Sequence, residues 1–116
     1  MALPAHPRMV FVVGPRHVIA RRKTEWQREL ATFGVELFCD GKLSQRGGGA
    51  LVLDNPLLAL RHLIELLAND SHNPPLRAGE VISTGTLTPA MPVSAGEKWT
   101  TKVTGIPLEE ITLCFE

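Results

Sequence analysis

The clearest chemical feature of the chain is the stretch 81–92, VISTGTLTPAMP. Two apolar residues, Val81 and Ile82, run into Ser83-Thr84-Gly85-Thr86, three hydroxyls around one glycine. Hydroxyls and backbone N–H groups converging from a turn can hold an anion such as a carboxylate, and glycine lets the backbone come close to it. The same residues equally suit a strand-ending turn whose hydroxyls bond their own backbone. Residue types alone leave both readings open.

Elsewhere groups able to do chemistry are scattered. His62 falls on the polar side of a helical pattern, and His6, His17 and His72 sit in Pro-rich or basic loop surroundings. Glu25 and Glu29, four apart, read as surface charge. Glu109 and Glu110 are adjacent and would point to opposite sides of a strand. No CxxC, HxxxH or Glu-x-Glu spacing occurs, so no metal ligands are identified and no catalytic residue is assigned. Cys39 and Cys114 each sit in an apolar run (ELFCD, ITLCF) and read as reduced core thiols, with a disulfide left open. Trp26 and Trp99 read as packing residues.

The elements that must position these groups follow from pattern. MVFVVGP (9–15) is a β-branched, aromatic run ended by Gly-Pro and is expected to form a buried strand. From His17 to Leu30 the pattern fits one helix or two short strands. VELFCDGKLSQ (35–45) alternates, and Asp40-Gly41 is a two-residue hairpin signal. DNPLLALRHLIELLAND (54–70) is the clear helix, capped by Asp54 or Asn55 with Pro56 at its first position. Its stripe of Leu57, Leu60, Leu63, Ile64 and Leu67 is expected to lie flat on a sheet. GEVIST (79–84), EKWTTKVTG (97–105) and EEITLCF (109–115) read as further strands. Strands, one helix and more strands make an α+β or mainly-β chain rather than a doubly wound sheet.

The 116 residues suit a single domain, 1–116, and the 44% hydrophobic, 21% charged composition is that of a globular chain. Twelve basic residues balance twelve acidic ones. Arg16, Arg21, Arg22, Lys23 and Arg28 cluster but are interleaved with Glu25 and Glu29, as on a solvated face. With no tyrosine and few aromatics for stacking, nucleic acid is not an expected partner. The apolar start is too short for a membrane span and lacks a cleavage site, so no membrane partner is expected and the location is expected to be cytoplasmic.

The extended pattern NPLLALRHLIELLAND…PPLRAGEVISTGTLTPAMPVSAGEKWTTKVTGIPLEEITLCF resembles the C-terminal part of the 2-keto-4-pentenoate hydratase family. That family belongs to the fumarylacetoacetate hydrolase superfamily, with 4-oxalocrotonate decarboxylases as close relatives. The matching pieces are an Asn-Pro helix start, Leu-x-Ala-Gly-acidic before a strand, the Thr-Gly-Thr turn, Pro-Val-x-x-Gly and a closing strand. FVVGP and VELFCDGKLSQRGGGALVLDNP fit upstream, so the likeness covers nearly the whole chain.

The resemblance implies a mainly-β mixed roll with one main helix packed on its sheet. It also implies a divalent metal, Mg2+ or Mn2+, that chelates a small 2-oxo carboxylate as a Lewis acid. Water then adds to 2-hydroxypenta-2,4-dienoate, or a related 2-oxo acid, in aromatic catabolism. The carboxylate-holding role falls on Thr86 first, supported by Gly85, Thr84 and Ser83. The family's metal ligands lie upstream of the matched region. The chain therefore resembles a C-terminal half that lacks the metal-binding half and is expected to be inactive alone. A homo-oligomer, or a partner chain supplying the other half, is the expected assembly. The alternative is a non-catalytic carboxylate-binding or association module.

Overall fold

Asp40 and Gly41 turn the chain as their signal predicts, both with positive φ (49° and 81°), which is the geometry of a type I′ hairpin. They join two of five strands in the computed structural model, which describes residues 2–3, 11–51 and 55–116. The strands are β1 (Ala2–Leu3), β2 (Gly34–Cys39), β3 (Lys42–Gly48), β4 (Lys98–Thr104) and β5 (Thr112–Phe115). The helices are α1 (Lys23–Thr32) and α2 (Pro56–Ala68). The sheet order is β1-β5-β4-β2-β3, antiparallel throughout except for the short parallel pair β1 and β5. The chain is thus α+β, as expected.

Strand period two sorts the residues onto two faces. Val35, Leu37 and Cys39 lie opposite Val103, Thr101 and Trp99, and Trp99 lies opposite Leu113, so these share the apolar face. The other face carries Glu36, Lys102, Thr100, Thr112, Lys98 and Cys114. There Arg46 Nε donates to Glu36 Oε2 at 3.0 Å, and the Thr100 and Thr112 hydroxyls are 3.3 Å apart. The two cysteines fall on opposite faces and both are free. That placement excludes a bond between the two within one chain.

The core sits where α1 meets the apolar face. Trp26 (5% exposed), Phe33 and Ile106 are buried together, with Leu30, Leu87 and Val103 packed around them. The open pattern 17–30 therefore resolves into a 3-10 turn, Ala20–Arg22, leading into α1. The helix ends when Phe33 becomes extended while its N–H still reaches Glu29 O (2.9 Å), and β2 begins at once.

The expectation that the main helix, α2, packs on the sheet is corrected here: α1 makes the sheet contact, through Trp26 and Leu30. α2 has its expected Asn55 cap, whose side chain accepts from Leu57 N–H (2.8 Å), with Pro56 following. Asp54, the other cap candidate, lies outside the described residues. α2 rests against α1, and none of its residues is buried; Ile64 and Leu66 are 51% and 69% exposed. Its apolar stripe was legible, but a stripe specifies that a face is apolar, not which element covers it.

Two expected strands do not form. Among the described part of 9–15, residues 11–15 are irregular, with Phe11 and Val13 exposed. Residues 79–84 are also irregular, with Val81 72% exposed. Both runs have β-favouring composition, but a strand exists only with a hydrogen-bonded neighbour, and no described strand pairs with either.

Gly47-Gly48-Gly49 sits where backbones cross. A Cβ on Gly47 would lie 1.6 Å from the Leu87 carbonyl oxygen, and one on Gly49 would lie 2.0 Å from that of Leu30. The first contact drapes residues 87–91 over the apolar face. The second seats α1 beside the sheet. No helix among the described residues is long and apolar enough to cross a membrane.

Candidate functional site

The apolar face is only partly covered, and the uncovered part is a groove of about 460 Å³. Val35, Leu37, Trp99, Thr101, Leu113 and Phe115 form its floor, one row from each of three adjacent strands. Thr86, Leu87, Thr88, Pro89, Ala90, Met91 and Val93 form its wall. Gln45 Nε2 reaches Met91 Sδ at 3.6 Å across the top. The lining is mostly apolar, as binding sites for small molecules usually are, with a few hydroxyls available for orientation.

Of the four residues singled out in the sequence, Thr86 lines this groove, while Ser83, Thr84 and Gly85 lie on the exposed approach to it. Ser83 Oγ donates to Thr84 O at 3.4 Å, the single self-capping contact of the turn. The Thr84 and Thr86 hydroxyls have no hydrogen-bond partner among the described residues. The turn and the groove thus meet at one side chain.

Sequence reasoning missed a hub at the far end of the groove. Glu97 Oε1 accepts from Ser94 N–H and lies 3.5 Å from Trp99 Nε1, while Oε2 accepts from Cys39 Sγ at 3.2 Å. These donors hold the Glu97 carboxyl below its usual range, the Cys39 thiol contributing most. Partial burial, then the Glu97 bond and the charges of Glu97 and Asp40, push the Cys39 thiol up to about 11. Only the thiolate is nucleophilic. At pH 8, Cys39 should therefore react with iodoacetamide at least about tenfold more slowly than exposed Cys114. Peptide mass spectrometry of a labelling time course checks this, and equal rates would remove the Cys39–Glu97 bond from the account. A pairing of residues 58 positions apart leaves no local signal.

Cys39, Asp40 and Glu97 also place one potential ligand atom each within 4.8 Å of one another. They do not fit magnesium, which takes an octahedron of oxygens. The thiol stays protonated, Asp40 Oδ1 already accepts from Lys98 N–H (2.9 Å), and both Glu97 oxygens are engaged. The cluster is a lock between the β2–β3 turn and the start of β4.

A second, smaller hollow of about 300 Å³ lies behind Leu87, between Val13-Gly14-Pro15 and Glu109. At its rim His17 Nε2 is 2.8 Å from Glu109 Oε2, and its ring packs on Trp26 with centroids 5.5 Å apart. The His17 bond holds the Glu109 carboxyl below its usual range. The sequence reading of His17 as a plain loop residue is corrected: it ties the irregular 11–19 segment to the turn before β5. His62 and His72 are exposed as expected, and His6 lies outside the described residues.

No family model matches the chain. It is 33% identical over 97 residues to a 2-keto-4-pentenoate hydratase of Paraburkholderia phymatum, covering 84% of this chain and 34% of the relative. It is 36% identical over 78 residues to a 4-oxalocrotonate decarboxylase of a Pseudomonas species, covering 67% of this chain and 29% of the relative. Two solved structures of the 4-oxalocrotonate decarboxylase of Pseudomonas putida superpose with a TM-score of 0.65 at 35% identity. They cover 76% of this chain and 32% of theirs; one is complexed with calcium and acetate, the other with magnesium and adipate. The likeness to the 2-keto-4-pentenoate hydratase family expected from the residues is thereby shown, and the chain spans about a third of the length of the relatives it matches.

Proposed function

With that family likeness as premise, we propose that the chain is the carboxylate-holding part of a hydratase- or decarboxylase-type lyase acting on a small 2-oxo acid. The carrying observation is that Thr86 belongs both to the hydroxyl turn and to the lining of the apolar groove. A 2-oxo acid has that polarity, with an anionic head for the Thr86 hydroxyl and the N–H groups around Gly85 and a hydrocarbon tail for the groove floor. Ser83 and Thr84 support the head from the solvent side. Hydration of 2-hydroxypenta-2,4-dienoate is the reaction this reading names first.

The groove can bind and orient, but the described residues supply no general acid or base inside it and no magnesium cage. The Mg2+ or Mn2+ that the likeness implies would be held by groups from another part of the assembly. The reading therefore makes the described residues inactive alone, a single domain that completes a mixed roll with a second copy or a partner chain. The exposed apolar residues of α2 and of the 11–19 segment support association of this kind. They also support the second reading, an association module that binds carboxylates without catalysis.

Calorimetric titration with oxalate, a mimic of the 2-oxo acid enolate, tests the carboxylate-holding role of the turn. Wild type is expected to bind oxalate weakly, and Thr86→Ala is expected to lose about tenfold or more in affinity, the worth of a hydrogen bond to a charged group. Added magnesium should change neither value for this chain by itself. Binding that requires the metal would refute the absence of a ligand set. Unchanged binding in Thr86→Ala would refute the assigned role of the turn.

A further inference from the structure

The Glu97 carboxylate joins two parts of the groove, the floor at Trp99 and the wall that ends at Val93. Trp99 is floor, rising from β4, and is 7% exposed. Met91 and Val93 are wall, in an irregular segment with no strand of its own. The backbone after this wall is pinned to β5 by Gly96 N–H to Phe115 O (2.7 Å) and Phe115 N–H to Glu97 O (2.9 Å). At this end of the groove the Glu97 side chain adds a direct tie between wall and floor. Glu97 Oε1 takes the Ser94 N–H directly after Val93 and faces Trp99 Nε1, while Oε2 is held by Cys39 of β2. A carboxylate with both oxygens engaged has little rotamer freedom left, so it behaves as a rigid spacer.

We infer that Glu97 is a positioning residue for the groove: it fixes the spacing between the Trp99 indole and the 91–93 wall, and so the length of apolar tail that the site accepts. The tail-length part rests on the groove being the ligand site. The positioning part does not. The ligand class is a 2-oxo acid with an aliphatic tail, its far end meeting Trp99.

The test uses the full chain and its two indole N–H signals in nitrogen–proton NMR spectra, assigned with Trp99→Phe. Glu97 protonates below the usual carboxylate range because its donors stabilise the anion. The Trp99 signal should titrate in that same acid range. In Glu97→Gln, which keeps an acceptor for Ser94 and Trp99 but does not ionise, the Trp99 titration should vanish. A Trp99 signal that ignores pH, or titrates equally in the glutamine variant, overturns the positioning role. This arm needs no disruptive substitution, so it decides the matter even where Glu97→Ala does not fold.

The second arm compares 2-oxohexanoate with oxalate by calorimetry. Glu97→Ala should shrink the preference for the longer acid by roughly tenfold, the scale of one misfitted methylene, and Glu97→Gln should restore it. Proportional weakening of both ligands is what a merely structural role gives and overturns the tail-length claim. Wild type that binds neither acid overturns the ligand reading of the groove, and the indole titration still decides whether Glu97 positions Trp99.

Discussion

Replacing Trp26 with alanine should cost about 3–5 kcal/mol of folding stability, the usual range for a buried tryptophan or phenylalanine. Trp26 is 5% exposed and forms the buried cluster with Phe33 and Ile106, the junction through which α1 reaches the sheet. Phe33 is held by its N–H to Glu29 O and by Gly49 N–H bonding to its carbonyl, and Val103 is held in β4 opposite Val35. The buried hydrophobic set among the described residues is short: Trp26, Phe33, Val35, Trp99 and Ile106. Small domains have total stabilities of about 5–15 kcal/mol, so this loss would be a large fraction of the whole. Urea titration followed by circular dichroism reads it as a lower midpoint or a vanished transition. A change below about 1 kcal/mol would mean that the α1 junction is not the core. The same substitution removes the ring on which His17 packs, so the His17–Glu109 tie should loosen with it.

The second large effect is expected at Gly47. A single added carbon there would sit 1.6 Å from a carbonyl oxygen of the main chain, closer than any non-bonded pair tolerates. The obstruction is backbone, so no rotamer change relieves it; the 87–91 segment or β3 itself must move. Overpacking of this kind costs about 1–3 kcal/mol, and the upper end applies here because two backbones are involved. The wall of the groove shifts with Leu87, so Gly47→Ala should also raise hydrogen exchange across residues 86–93 before it affects the β2–β4 ladder. Gly14→Ala is the control, because its Cβ would meet Ile111 at an ordinary 3.6 Å. That control should stay within about 0.5 kcal/mol of wild type. Equal effects of the two substitutions would mean that the Gly47 crossing is not fixed in solution.

Local features were legible in the sequence wherever a local rule suffices. Asp40-Gly41 announces its own turn, Asn55-Pro56 its own helix start, and the Lys98–Thr104 alternation its own half-wet strand. The family likeness was legible from ordered motifs. Partnership was not legible. Val81-Ile82 and Phe11-Val12-Val13 have the composition of strands, yet pairing is decided by what lies alongside, which composition does not encode. For the same reason α2 looked like the helix on the sheet while α1, with its weaker pattern, holds that place. His17 with Glu109, and Cys39 with Glu97, are pairs made entirely by folding, across 92 and 58 positions. The glycine triplet 47–49 is made of three residues whose lack of a side chain lets rigid segments touch.

For heredity, that triplet is a place where substitution has no gradient. Every amino acid other than glycine begins with the same Cβ, so at Gly47 the first carbon meets the Leu87 carbonyl whatever follows it. Alanine should be tolerated no better than leucine or aspartate, and chemical similarity should predict nothing. Positions on the groove floor, such as Val35 or Leu113, would instead grade smoothly with size and polarity. A lineage can therefore retune what the groove holds by small steps along its floor, while the crossing that holds up its wall passes on unchanged or is lost outright.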